Sequence, residues 1–145
     1  MLEMERTRID TLMLANHAEA INGLLYISGG GWTDHHRRIQ GETFPNSHFG
    51  IALSLRVPWH ETNQPHKFVV EVQNDDATVT VMRAEGEFNV GRPAQLPPGT
   101  TQHAVLAITV DTTFPAPGGY RVVATIDGDK DEATWPFRVH DVRAV

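Results

Sequence analysis

A chain of 145 residues with 40% hydrophobic and 21% charged content has the size and composition of one globular domain, residues 1–145, and two domains would be cramped. Its net charge of -6 opposes a nucleic-acid role, because phosphate binding draws most of its affinity from clustered Lys and Arg. With no cysteine, disulfides, thiolate zinc sites and cysteine nucleophiles are excluded together, in keeping with a reducing, cytoplasmic setting.

The chain opens on Met1-Leu2-Glu3-Met4-Glu5-Arg6, mixed in charge, and Asp10 interrupts the apolar residues that follow. Neither a signal-peptide core nor membrane insertion is expected. From there the apolar period is two almost everywhere. Residues 9–15 read as a first strand. Asn22-Gly23 then sits between residues 18–21 and 24–28, and Asn-Gly favours the positive φ values of a tight hairpin turn. Gly29-Gly30-Gly31 breaks the pattern and leads into a polar stretch that ends near Asn46.

Strands are expected at 49–57, 67–74, 78–83 and 86–90. The run Arg92-Pro93-Ala94-Gln95-Leu96-Pro97-Pro98-Gly99 excludes regular structure, since Pro lacks the ladder donor and fixes its own φ. Alternation returns at Ala104, Leu106, Ile108 and Val110, at Tyr120, Val122, Ala124 and Ile126, and at Trp135, Phe137 and Val139. No segment carries a helical stripe of three turns, although residues 61–64 have room for a single turn. Short strands about ten residues apart predict an all-β, single-domain antiparallel sandwich, Ig-like or C2-like, with about eight or nine strands. A closed ligand barrel is the competing architecture.

Between two of the clearest strand patterns lies Val57-Pro58-Trp59-His60-Glu61-Thr62-Asn63-Gln64-Pro65-His66. Each motif residue has structural work available. Pro58 ends a ladder, Trp59 covers the core edge, Asn63 bonds backbone amides as an Asx turn or cap, and His66 anchors the next strand through a backbone carbonyl. His60-Glu61 invites comparison with the H-E-x-x-H zinc motif, but the second histidine comes six residues on, so the one-face helical geometry is lost. Asp34-His35-His36 with His48, His60 or His66 would make a metal site only if the fold gathered them; none is expected.

Other enzyme signatures fail. Tyr26-Ile27-Ser28-Gly29-Gly30 lacks the first glycine of a nucleophile elbow. The triple glycine has no following Gly-Lys-Ser/Thr, so it reads as a bulge or strand exit rather than a phosphate loop. Asp75-Asp76 and Asp129-Lys130-Asp131-Glu132 fall at turns, where solvation and local hydrogen bonds account for them. The basic pair Arg37-Arg38 is isolated and reads as solvated loop.

Taken together, V-P-W-x-x-x-N-x-x-H at Val57, Pro58, Trp59, Asn63 and His66, then Gly86-Glu87-Phe88-Asn89-Val90-Gly91-Arg92-Pro93, Leu96-Pro97-Pro98-Gly99-Thr100 and Pro117-Gly118-Gly119-Tyr120 resemble a family of uncharacterised bacterial proteins. Ala18-Glu19-Ala20 and Gly23-Leu24-Leu25-Tyr26-Ile27 through Gly29-Gly30-Gly31-Trp32 carry the resemblance toward the N-terminus, and residues 34–45 depart from it. The family has a domain-of-unknown-function label and no agreed activity, so the resemblance implies no catalytic residue and no cofactor.

Two functions are therefore expected from different classes. The first is a non-enzymatic interaction or assembly module that binds copies of itself or another protein. Its candidate residues are Trp32, His35, His36, Arg37, Arg38, Phe44 and Arg92, in the irregular region at 29–45 and the loop at 92–100. The second is a small-ligand or metal-binding module with weak hydrolytic chemistry around residues 59–66.

Overall fold

The computed structural model describes residues 5–143. Residues 1–4, most of the segment judged unlike a signal peptide, lie outside that range. The chain forms β1 (Arg8–Ile21), β2 (Leu24–Gly30), β3 (Asp34–Ile39), β4 (Ser47–Val57), a 3-10 turn (Trp59–Glu61), β5 (Pro65–Asn74), β6 (Thr80–Asn89), β7 (Gln102–Thr112), β8 (Gly118–Ile126) and β9 (Asp131–Arg143). They build a four-stranded sheet, β2-β1-β4-β7, and a five-stranded sheet, β3-β9-β8-β5-β6. This is the expected β-sandwich. Among the described residues no helix is long and apolar enough to cross a membrane.

Period-two alternation places Leu12, Leu14, Phe49, Ile51, Leu53 and Val110 on the inner face of the first sheet. Val70, Val72, Val122, Ala124, Phe137 and Val139 meet them from the second. Phe114, from the β7–β8 connection, is fully buried, with its ring 4.8 Å from that of Tyr120 and 5.8 Å from that of Phe137. The order β4-β7 beside β9-β8-β5-β6 follows the Ig-like alternative. Tyr120, at the start of β8, donates its hydroxyl to the Ala116 carbonyl at 2.6 Å, the tyrosine-corner arrangement of that fold.

Several segments differ from the sequence pattern. Residues 9–15 and 18–21 are one strand, because the backbone runs on through exposed Asn16 and His17. Residues 78–83 and 86–90 are likewise one strand. Gly86 in this strand leaves room for the Phe68 ring, whose atoms would lie 3.0 Å from an added Cβ. The polar stretch after Gly31 hides β3, which pairs with β9 in parallel, Asp34↔Arg138 through Ile39↔Arg143. One edge of the otherwise antiparallel sandwich is thus parallel. Its outward Asp34, His36 and Arg38 mask the alternation of a strand that inserts Arg37 and Ile39.

β1 serves two partners in turn. It pairs with β4 as far as Ala15↔Gly50 and from there onward only with β2, across the turn at Asn22 and Gly23 with φ of 51 and 77°. A Cβ on Gly50 would lie 2.9 Å from the Ala18 amide nitrogen, so the hairpin folds back over the outer face of β4. Ala15, Ala18 and Ala52 are buried at that crossing, and their small side chains allow the close approach.

Candidate functional site

Residues 57–66, read from the sequence as a structural motif with small-ligand or metal chemistry as the alternative, form a closed hydrogen-bonded corner. Pro58 is buried and precedes the 3-10 turn. The Arg92 guanidinium stacks 4.4 Å from the Trp59 ring centroid, donates to the Trp59 carbonyl at 2.6 Å, and donates through Nε to the Thr62 hydroxyl. Asn63 takes the left-handed region with φ of 59°, and its amide donates to the Val90 carbonyl at 2.7 Å. Its tolerance of that conformation, rather than a side-chain cap, accounts for its place. His66 is paired with Phe88 in register, the rings stacked at 5.3 Å. The Val57-to-His66 and Gly86-to-Pro93 motifs therefore form one unit.

At the base of this corner His66 is 2% exposed. Its Nδ1 lies 2.7 Å from Asp127 Oδ2 and its Nε2 lies 2.7 Å from the Glu61 carbonyl oxygen. Both partners are acceptors, so this geometry favours a ring that donates from both nitrogens, the imidazolium. Burial alone would lower its pKa, but the bonds to Asp127 and to the Glu61 carbonyl outweigh this and raise it. Burial would raise the Asp127 pKa, but the bonds from His66 and the Lys67 amide prevail and hold it below the usual carboxylate range. A ring with both nitrogens committed accepts neither a proton nor a metal. Asp127, which no sequence motif singled out, is the partner that decides this.

A family of unknown function, DUF6941, matches residues 10–140. The chain belongs to that family. No curated protein matches it.

In this DUF6941 chain the irregular 29–45 region is also largely spent on structure. Trp32 is half-buried against the core rather than exposed, its ring 5.7 Å from Phe49 and 5.6 Å from His35. Arg37 is not solvated loop: its side chain is buried, with Nε donating to Asp141 at 2.5 Å and NH1 to the Phe114 carbonyl at 2.6 Å. Phe44, 41% exposed, lies 4.2 Å beneath its guanidinium. Arg38 and His36 are exposed.

The local acid–base pairs do not assemble a catalytic centre. His35 Nε2 lies 2.8 Å from Ser47 Oγ, but Ser47 is 3% exposed, so no substrate reaches it. Burial, helped by the charges of Arg37 and His36, lowers the His35 pKa and so favours the neutral ring. His36 stacks on His140 at 4.7 Å, and His140 Nε2 meets Asp34 Oδ1 at 2.7 Å. Among the described residues no group of three or more His, Asp or Glu is placed to hold a metal. An open cleft of about 360 Å³ lies beside Trp59, lined by Glu5, Pro58, His60, Gly99 and Thr101.

The unspent surface lies elsewhere. Ile21 at 45%, Leu24 at 59%, Tyr26 at 54% and Ile27 at 37% exposure are gathered on the β1–β2 hairpin. The register Ile21↔Leu24, Glu19↔Tyr26 and His17↔Ser28 puts Ile21, Leu24 and Tyr26 on one face, with the paired His17 and Glu19 beside them on β1. Ala18, paired with Ile27, lies on the face turned toward β4. β2 has β1 as its one partner strand among the described residues, leaving a row of backbone donors and acceptors open. The sequence signal for this was Leu24-Leu25-Tyr26-Ile27-Ser28, an uncharged run of β-formers directly after a hairpin turn.

Proposed function

We propose that this protein is a non-enzymatic protein-interaction and assembly module that self-associates through its β1–β2 hairpin. One observation carries the proposal: an uncharged edge strand and an apolar face built from Ile21, Leu24 and Tyr26 stand in solvent on the same hairpin. Proteins guard such edges with charge, Pro or a covering element, and an unguarded one is a template for another strand. A two-stranded ribbon is marginal by itself in water, and a partner supplies what it lacks.

A cytoplasmic, bacterial setting is part of the same proposal, supported by the absence of cysteine and by the resemblance drawn from the sequence motifs. The ligand-binding alternative has less support, since His66 is fully committed and the cleft beside Trp59 is open. Light scattering over a range of concentrations tests the proposal. The wild-type mass should exceed the monomer's 16.1 kDa and return to it in Leu24→Lys/Tyr26→Lys. A strict monomer at every concentration would end the self-association reading.

A further inference from the structure

We infer that the partner on this hairpin is a second copy of the same chain, added antiparallel along β2 about a two-fold axis at Tyr26. This rests on the reading of the hairpin as the contact surface and specifies how that surface is used. Among the described residues the two sheets present four edges, β2, β7, β3 and β6. β3 is six residues long and carries Asp34, His36, Arg37 and Arg38. β6 carries Arg83, Glu85 and Glu87. β7 bears His103 and Asp111 near its ends, and Thr112 Oγ1 already donates to the Val81 carbonyl of β6 at 2.9 Å. Charge and cover are the devices that keep edges from pairing. β2 has no charged residue in its seven. An approaching copy therefore offers one edge that matches it, its own β2.

The hairpin turn sets which groups are free. A two-residue turn with both central φ positive makes the flanking residues, Ile21 and Leu24, a hydrogen-bonded pair. Alternation then directs the amides and carbonyls of Leu24 and Tyr26 toward β1, and those of Leu25 and Ile27 toward the open edge. A two-fold axis at Tyr26 places Leu25 opposite the partner's Ile27, where each pair exchanges both bonds. Tyr26 faces its own copy across a non-hydrogen-bonded position, and Leu24 faces Ser28. No like charges meet. Leu24 and Tyr26 of both copies join one apolar stripe, flanked by each Ile21. The two four-stranded sheets become one continuous sheet, and a contact of this isologous kind closes on itself.

The absence of native cysteine makes the geometry directly testable with single-cysteine variants. In Tyr26→Cys the facing Cα atoms would stand about 4.5 Å apart, inside the range that a disulfide spans. In Ser28→Cys the two thiols would be offset by about 13 Å along the strands. Mild oxidation should link Tyr26→Cys into a dimer about tenfold faster than Ser28→Cys. Equal rates, or none in either, would overturn the two-fold arrangement. If Tyr26→Cys does not fold, a mixture of Leu25→Cys and Ile27→Cys replaces it; this should give the mixed dimer in excess of either like pair, and a statistical distribution would count against the register. If association persists in wild type and is lost in Leu24→Lys/Tyr26→Lys while no cysteine pair links, the hairpin remains the contact surface and strand addition is wrong. A monomeric wild type removes both.

Discussion

The corner at Trp59, His66 and Arg92 and the hairpin at Ile21 to Ile27 are opposites in how their groups are used. The corner is rich in residues that do chemistry, and the structure binds them to one another: both His66 nitrogens, the Arg92 guanidinium and the Thr62 hydroxyl have partners. The hairpin is chemically plain, yet it leaves apolar faces and backbone groups in water. Residue type indicates what a side chain can do. Its unmet interactions indicate what it is free to do.

Variants can separate the two regions by giving each a different readout. The largest expected effect is at the corner. His66→Ala leaves the Asp127 carboxylate and the Glu61 carbonyl without their donor and should cost about 2–3 kcal/mol of stability, measured by denaturant unfolding, with association unchanged. An unchanged midpoint would show that the buried ion pair contributes nothing net.

pH gives a second, smaller effect. The raised His66 pKa contributes stability that is complete below its unfolded value of about 6.5 and is lost as pH rises through the folded value. The lowered Asp127 pKa contributes stability that is complete above about 3.9 and is lost as pH falls through the folded value. The pair should therefore stabilise most between about pH 4 and 6.5. Thermal midpoints of wild type minus Asp127→Asn should trace that window; a flat difference would contradict it.

The smallest global effect is expected at Gly50→Ala. Its new Cβ meets the Ala18 amide at 2.9 Å, so the hairpin must lift from β4 while the core below stays packed. Amide exchange in β2 should accelerate several-fold, with the exchange of β8 and β9 unaltered. Uniform acceleration across both sheets would mean that the hairpin is not a separate unit.

Strands with strict alternation, β4, β5, β7 and β8, were legible because one face of each is apolar and the other is not. β3 was not, since its inward Arg37 is a charge satisfied by Asp141 and by Phe114, contacts about a hundred and about eighty residues away that no local pattern contains. The gap left between 78–83 and 86–90 was not a break either: the backbone runs on as one strand, and Gly86 makes room there for the Phe68 ring. Of the candidate residues, Trp32 proved half-buried against the core, Arg37 interior, and Arg92 a bracket on Trp59. The two motifs were legible as belonging together, but their meeting at His66, Asn63 and Val90 follows from pairing β5 with β6.

The parallel edge has a consequence for how the chain is made. β1 and β2 meet across a two-residue turn, whereas β3 must wait for β9, with Asp34 pairing to Arg138. During synthesis β1 and β2 emerge together and β4 follows, whereas β3 has no partner strand until β9 is out. Loop closure over that separation makes the β3–β9 contact a late event. The nascent protein therefore has its first sheet available before the edge of the second can close, and a chain interrupted before β9 would leave β3 without its partner strand.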